Sequence, residues 1–500
     1  MTDCRLTYHT IHPWHTENGI SVKGAAFLNH LLLNSSELIG YFQKVCDASS
    51  FQEHLQQLSG HFSVVIENDD SFFIAVDTIR TFPLFIQKNK TGILLSDAID
   101  TASGQWDETE TEYFKKVFCT LENNTLLQDW KQLQAGEYGI IPKSSSEFQI
   151  QTYYHHAHAA SGESERDLKS KLSTAEQNII DKAITYAANR TILIPLSGEY
   201  DSRYLLALLK QKKYAKIECF TYGKKDSYEV RTAKKVCEKL QIKWHYIEYA
   251  DELLQSFFSE KWQQYSEGNH NYSSLPHEQD FFALYYLQCN NLLPDNAVVM
   301  NGFCQDIMAG SFLEPLHSFN LTKFIGEKYD IQPKLSCYEN SWNAYQEWLV
   351  KNRLSKFIVN SVRIYETFGL DFYLPFWDTN WIHFWYSLPI TLRMHQRFYH
   401  NHLFDGIFRK YDIRFKKPTY DDTDTFYNIK RLIKAILPLS ITKYIKRKNS
   451  QDASRDVNNT LFLYEELYKQ LKTQVPQKDF RINNIHALYL LQNLKEKHQL

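Results

Sequence analysis

Apolar positions change their rhythm once along the chain. Through residues 1–155 they come in short runs rich in β-branched and aromatic residues: His61–Ile66, Phe72–Val76, Leu84–Ile86 and Gly92–Leu95. Turn-forming polar residues, Asn68-Asp69-Asp70 and Lys88-Asn89-Lys90, separate them. Such runs predict a meander of strands in a mostly antiparallel sheet. A serine-rich patch at Ser144–Ser146 and the polar stretch Ala157–Glu165 mark the expected boundary between a domain 1–155 and a domain 156–500.

Beyond that boundary the pattern alternates. Leu168, Leu172, Ile179 and Ala183 fall at near-helical spacing, and the helix should end near Asn189. A buried-type strand at Ile192–Leu196 leads through a loop into a helix at Ser202–Lys210. Ile217–Tyr222 is the next strand, Val230, Ala233, Cys237 and Leu240 mark one face of a helix, and Trp244–Ile247 is a third strand. Ala297–Met300 is a further short one. Strands alternating with helices predict right-handed βαβ units and a parallel sheet. After about residue 310 the chain reads as mainly helical and aromatic, and it carries no internal repeat.

Composition adds exclusions. With 56 Lys and Arg against 58 Asp and Glu, the net charge is −2. No global basic field points to nucleic acid, and 43% hydrophobic residues argue against disorder. Met1–Gly19 lacks the apolar core of a signal peptide, and no apolar run approaches the ~20 residues that span a bilayer. The expectation is a soluble cytoplasmic protein. Eight scattered cysteines without a C-x-x-C pair suggest reduced thiols.

The chemistry concentrates between a strand and a helix, at Pro195-Leu196-Ser197-Gly198-Glu199-Tyr200-Asp201-Ser202-Arg203. At the carboxyl end of a parallel strand, backbone amides and the Ser197 and Ser202 hydroxyls are suited to phosphate oxygens. Asp201 suits the cation that accompanies phosphates. The same residues also make an ordinary capped strand-to-helix turn, and the loop alone does not separate these readings. Elsewhere, His155, His156 and His158 are a weak metal motif that reads better as a solvated linker, and Lys443–Lys448 reads as a solvated helix face. Asn360 and Arg363 either line a pocket or bridge helices.

The loop resembles the S-G-G-x-D-S pyrophosphate-binding loop of asparagine synthetases and related ATP pyrophosphatases. The resemblance continues in order. Thr221-Tyr222-Gly223 resembles the end of that family's second strand, and Glu229 and Ala233 the helix after it. Asn301-Gly302-Phe303-Cys304-Gln305-Asp306 resembles its S-G-E-G-x-D segment, with Gly310 behind it. Gly369-Leu370-Asp371, Pro375-Phe376 and Asp378 resemble its G-x-E-x-R-x-P-F-x-D block, and Arg414-Phe415-Lys416 a late R-x-K element. Nearer the start, Leu58-Ser59-Gly60-His61-Phe62 and Asp77 to Leu84 resemble stretches of class II glutaminase domains.

The resemblance implies a degenerate αββα sandwich of the Ntn type, then a doubly wound parallel-sheet ATP-pyrophosphatase domain with a helical extension. It implies ATP and Mg²⁺ as cofactors. Leu196, Ser197, Gly198, Asp201, Ser202, Tyr222, Asn301 and Gly302 would hold ATP, Asp201 and Asp306 would hold magnesium, and Lys416 would be catalytic. The implied activity is an AMP-forming amide ligase that activates a small-molecule or glycan carboxylate for attack by ammonia or an amine, with a homodimer left open. Some positions depart from the family. Thr2 follows Met1 where a glutaminase needs its nucleophilic cysteine, and Cys4 lies two positions late, so no glutaminase nucleophile is assigned. Glu199 replaces a glycine, Cys304 another, and Phe303 an acid, and phenylalanine transfers no proton. Alternatives are an ammonia-using asparagine synthetase proper and a non-catalytic nucleotide-binding relative. A tRNA-modifying sulfur transferase fits less well, since paired cysteines and a basic surface are lacking.

Overall fold

The computed structural model describes residues 2–7, 9–89, 92–99, 104–144, 147–157, 160–313, 319–332, 335, 338–415, 456–472 and 481–499. Strands dominate its first part: β1 (Thr2–Arg5), β2 (His15–Glu17), β3 (Ile20–Leu28) and β4 (Leu31–Leu33). Helices α1 (Ser35–Phe42) and α2 (Ala48–Gln56) follow, capped by the side chains of Asn34 and Asp47. Then come β5 (Leu58–Glu67), β6 (Ser71–Val76), β7 (Phe85–Asn89), β8 (Gly92–Ser96), helix α3 (Glu108–Val117), β9 (Trp130–Gln132), β10 (Glu137–Pro142) and β11 (Gln149–Thr152).

These strands form a sheet in the order β11-β10-β6-β5-β3-β2, with β4 on β3, and a smaller one in the order β1-β8-β7-β9. Residue alternation sorts their side chains into layers. Phe73 and Ala75 of β6 face Leu38, Phe42, Phe51 and Leu55 of α1 and α2. Their neighbours Phe72, Ile74 and Val76 face Ile86, Ile93 and Leu95 of the other sheet. On the far side of that sheet, Phe85 and Trp130 pack with Phe114 of α3. The result is four layers, helix, sheet, sheet and helix.

The second part opens with helix α4 (Glu165–Ala187), ended by a left-handed Ala188. A five-stranded sheet follows, built from β12 (Ile192–Pro195), β13 (Ile217–Gly223), β14 (Lys243–Glu248), β15 (Val298–Met300) and β16 (Asp371–Tyr373). Its order is β14-β13-β12-β15-β16 and all four pairings are parallel. Helix α5 (Tyr200–Gln211) connects β12 to β13, and α6 (Tyr228–Leu240) connects β13 to β14. The chain builds outward from β12 to β14, then crosses back to lay β15 on the other side of β12. A crevice opens at that reversal, above the carboxyl ends of β12 and β15. Among the described residues, no helix is long and apolar enough to cross a membrane.

The first and second parts touch each other. Ser59 donates to Asp378 at 2.7 Å, Lys182 donates to the same oxygen at 2.5 Å, and the Leu374 amide donates to His61 Nε2 at 3.1 Å. Nearby, the buried His12 ring lies 2.8 Å from Glu366 and 2.9 Å from Asp371, while Arg363 donates to Glu366 and Arg190 to Asp371. Two expectations are settled here. Asn360 donates to the Asn269 carbonyl and so bridges two helices, whereas Arg363 pairs with Glu366 three residues on in the same helical stretch. His156 is not a solvated linker residue: it is fully buried, 2.7 Å from the Thr78 carbonyl, and burial lowers its pKa to about 4. His158 and Lys443–Lys448 lie outside the described residues.

Burial lowers the pKa of His12, but the hydrogen bonds its ring donates to Asp371 and Glu366 outweigh that and raise it from 6.5 to about 9. A raised value means the stabilisation is complete below pH 6.5 and fades as pH climbs through 9. His12→Asn should therefore cost about 3 kcal/mol near pH 6. In denaturant unfolding, the gap to wild type should narrow steadily toward pH 9.5; a gap that widens with pH would contradict the assignment.

Candidate active site

Helix α5 differs from its neighbours at its first turn. Side chains of Ser164 and Ser227 cap α4 and α6, whereas Glu199 at the N-cap of α5 makes no side-chain cap hydrogen bond. The first-turn amides of α5 are thereby left to other acceptors. The loop before it folds on itself: the Ser197 amide donates to Ser202 Oγ at 3.1 Å, and the Glu199 amide to Ser197 Oγ at 3.3 Å. Arg203 holds the loop from behind, donating to the Gly198 carbonyl at 2.6 Å and the Ile413 carbonyl at 3.1 Å. Its guanidinium also lies over Phe408 and Phe415.

Two glycines allow the close approaches. A Cβ on Gly302 would stand 2.5 Å from the carbonyl carbon of Asp201 and 2.6 Å from the Ser202 amide nitrogen. A Cβ on Gly198 would meet Glu229 Cα at 2.7 Å. Gly302 thus presses the end of β15 onto the start of α5, and the chain after it carries Asp306 to Asp201. The Asp306 amide donates to Asp201 Oδ2 at 3.0 Å, and the Tyr399 hydroxyl donates to Oδ1 at 2.8 Å. Burial, reinforced by the charge of Asp306, pushes the Asp201 pKa well above the usual carboxylate range. Burial also raises Asp306, with Glu199 adding to the effect. Cys304, in place of a glycine, sits at φ 70°, in the left-handed region that favours glycine.

Around these groups lies a cavity of about 620 Å³. Its walls include Ser197, Asp201, Ser202, Tyr222, Asn301, Gly302 and Asp306, so the structure brings these expected site residues together. Leu196 and Gly198 are buried in the backbone just behind. Glu199 is exposed and lines the same cavity, as does Phe303. Lys416 lies outside the described residues, one position beyond Phe415.

Several lining residues carried no sequence signal. Asp280, in the first turn of helix Gln279–Cys289, accepts from Tyr222 at 2.6 Å and from Tyr365 at 2.5 Å. Tyr365 in turn receives a hydrogen bond from Asn301 at 2.9 Å, and Tyr222 stacks on Tyr249. Burial and the Asp280 charge push both tyrosine pKa values well above 10, which keeps them protonated donors. His400 lines the cavity as a neutral imidazole, its pKa lowered by burial to about 4.

A hard divalent cation fits the donor set. Two half-buried carboxylates crowded together are costly to ionise without a positive partner, and magnesium is commonly held by one or two carboxylates together with substrate phosphates. Cys4 fits nothing of the kind. It lies in β1, and burial, with the charges of Glu67, Asp3 and Asp97, raises its thiol to about 12. That is opposite to the shift a nucleophilic thiolate needs.

No family model matches the chain, and no curated protein matches it. Solved structures give faint likenesses. One is an NH3-dependent NAD synthetase from Campylobacter jejuni, 14% identical, matching 30% of this chain and 62% of its own length, with a TM-score of 0.20. Another is a glutamine-dependent NAD+ synthetase from Acinetobacter baumannii, 11% identical over 76% of this chain and 65% of its own, TM-score 0.23. A third is the glutamine phosphoribosylpyrophosphate amidotransferase of B. subtilis, 10% identical over 49% of this chain and 74% of its own, TM-score 0.19. Scores this low carry no argument, and the functional reading rests on the site.

Gly302→Ala should destabilise the protein by about 1–3 kcal/mol, because backbone has to move to admit the methyl group. An unchanged unfolding midpoint would show that the contact is looser than described. Cys4→Ser should leave stability and any activity unaltered, and the wild-type Cys4 thiol should alkylate more slowly at pH 8 than the exposed Cys46. Glutamate release from glutamine that vanishes in Cys4→Ser would overturn this reading of Cys4.

Proposed function

We propose that the protein is an ATP-dependent, AMP-forming amide ligase of the asparagine synthetase type, built from a degenerate glutaminase-like domain 1–155 and a synthetase-like domain 156–500. One observation carries the reading: Asp201 and Asp306, both half-buried in the cavity wall, meet beside the N-terminus of α5 at the reversal point of a parallel sheet. An uncapped helix start offers amides to phosphate oxygens, and paired acids offer oxygen to a cation.

In this reading the amides and hydroxyls of Ser197 to Ser202 bind the pyrophosphate end of ATP. Asp201 and Asp306 hold Mg²⁺, which neutralises phosphate charge when bound. Leu196, Tyr222, Asn301 and Gly302 surround the nucleoside. The substrate carboxylate attacks the α-phosphorus, the bond to the bridging oxygen breaks, and pyrophosphate leaves. Lys416 supplies positive charge to the phosphate oxygens as negative charge builds there. Ammonia or an amine then attacks the acyl carbon and releases AMP. Because Phe303 moves no proton, the attacking nitrogen enters as the free base, and the rate of this step rises with pH until the amine is deprotonated.

ATP with Mg²⁺ should raise the melting temperature, since a ligand bound only by the folded chain stabilises it. Asp201→Asn and Asp306→Asn should each remove most of that shift. Wild type that shows no shift at millimolar ATP would favour a relative that has lost nucleotide binding.

A further inference from the structure

We propose that Asp280 selects the nucleoside of ATP, accepting a hydrogen bond from a donor on its ribose or base; this rests on the ATP-binding reading above. Asp280 lines the cavity, and its carboxylate is aimed by two tyrosine hydroxyls, Tyr222 on Oδ1 at 2.6 Å and Tyr365 on Oδ2 at 2.5 Å. Neither tyrosine is free to swing. Tyr222 stacks on Tyr249 with ring centroids 4.7 Å apart, and Tyr365 is fully buried against Asn301.

The position is as telling as the rigidity. Tyr222 lies near the end of β13, and Asn301 follows the end of β15; these strands flank β12 on either side. Asp280 bonds Tyr222 directly and Asn301 by way of Tyr365, so it links two segments assigned to the nucleotide. A carboxylate only accepts hydrogen bonds, and each oxygen has a lone pair beyond the one its tyrosine occupies. Adenosine offers three donors to such a group, the 2′-hydroxyl, the 3′-hydroxyl and the 6-amino group. A fixed, partly buried acceptor rejects a ligand that lacks its donor, because the acceptor is then left unpaired.

The test is calorimetric binding of ATP, 2′-deoxyATP, 3′-deoxyATP and inosine triphosphate, each with Mg²⁺, to the full-length protein. Wild type should bind one of the three analogues about tenfold more weakly than ATP. In Asp280→Ala that preference should fall below about threefold while the other two ratios stay as they were. Asp280→Asn, which keeps size and one acceptor oxygen, is the second variant and should lose part of the same preference. If wild type shows no preference, or both variants keep it, the assignment of Asp280 is overturned while ATP binding itself stands. If wild type binds none of the four nucleotides, the ATP-binding reading falls and this inference falls with it.

Discussion

The contact on which the site depends is between two backbones. Gly302 lies so close to the carbonyl of Asp201 and the amide of Ser202 that a single methyl group would enter at 2.5 Å. Because β15 is pressed onto the start of α5 in this way, the Asp306 amide reaches the Asp201 carboxylate, and two acids share one crowded, half-buried place. Neither ionises easily there, and the raised pKa values of both are the electrostatic signature of that crowding. A site arranged so is energetically unfinished until positive charge enters it, which ties the fold of the parallel sheet directly to the chemistry proposed for it.

The four-layer part of the molecule bears on this site through buried polar contacts. Asp378 receives Ser59 from one part and Lys182 from the other, and His12 bridges Glu366 and Asp371 beside β16. Breaking a buried pair by removing one partner is strongly destabilising. The two parts are therefore coupled where β16 completes the parallel sheet. The first part thus has structural work at this junction.

Much of this was legible in the residues. Apolar β-branched runs announced β5, β6, β12 and β13, because such strands are buried on both faces. The spacing of Ser197, Gly198, Asp201 and Ser202 announced the loop. The three-residue β16 was not legible inside an aromatic, helix-like stretch, since its existence depends on pairing with β15. Tyr399 reaches Asp201 across 198 residues of sequence, and Asp280 meets Tyr222 across 58; a lone tyrosine or aspartate carries no local pattern that foretells such a meeting. His156 misled for the converse reason. Its polar neighbours suggested solvent, but the chain there runs beneath Glu347 and the Thr78 carbonyl.

The central claim is that the half-buried Asp201 and Asp306 pair gives up protons to take a cation with ATP. Calorimetric titration with Mg²⁺ and ATP at pH 6.5, repeated in buffers of different ionisation enthalpy, counts the protons released, because metal ligands must be deprotonated to bind. The account predicts that wild type releases more protons on binding than Asp201→Asn or Asp306→Asn does. Tight binding with a proton release no greater in wild type than in both variants would contradict it.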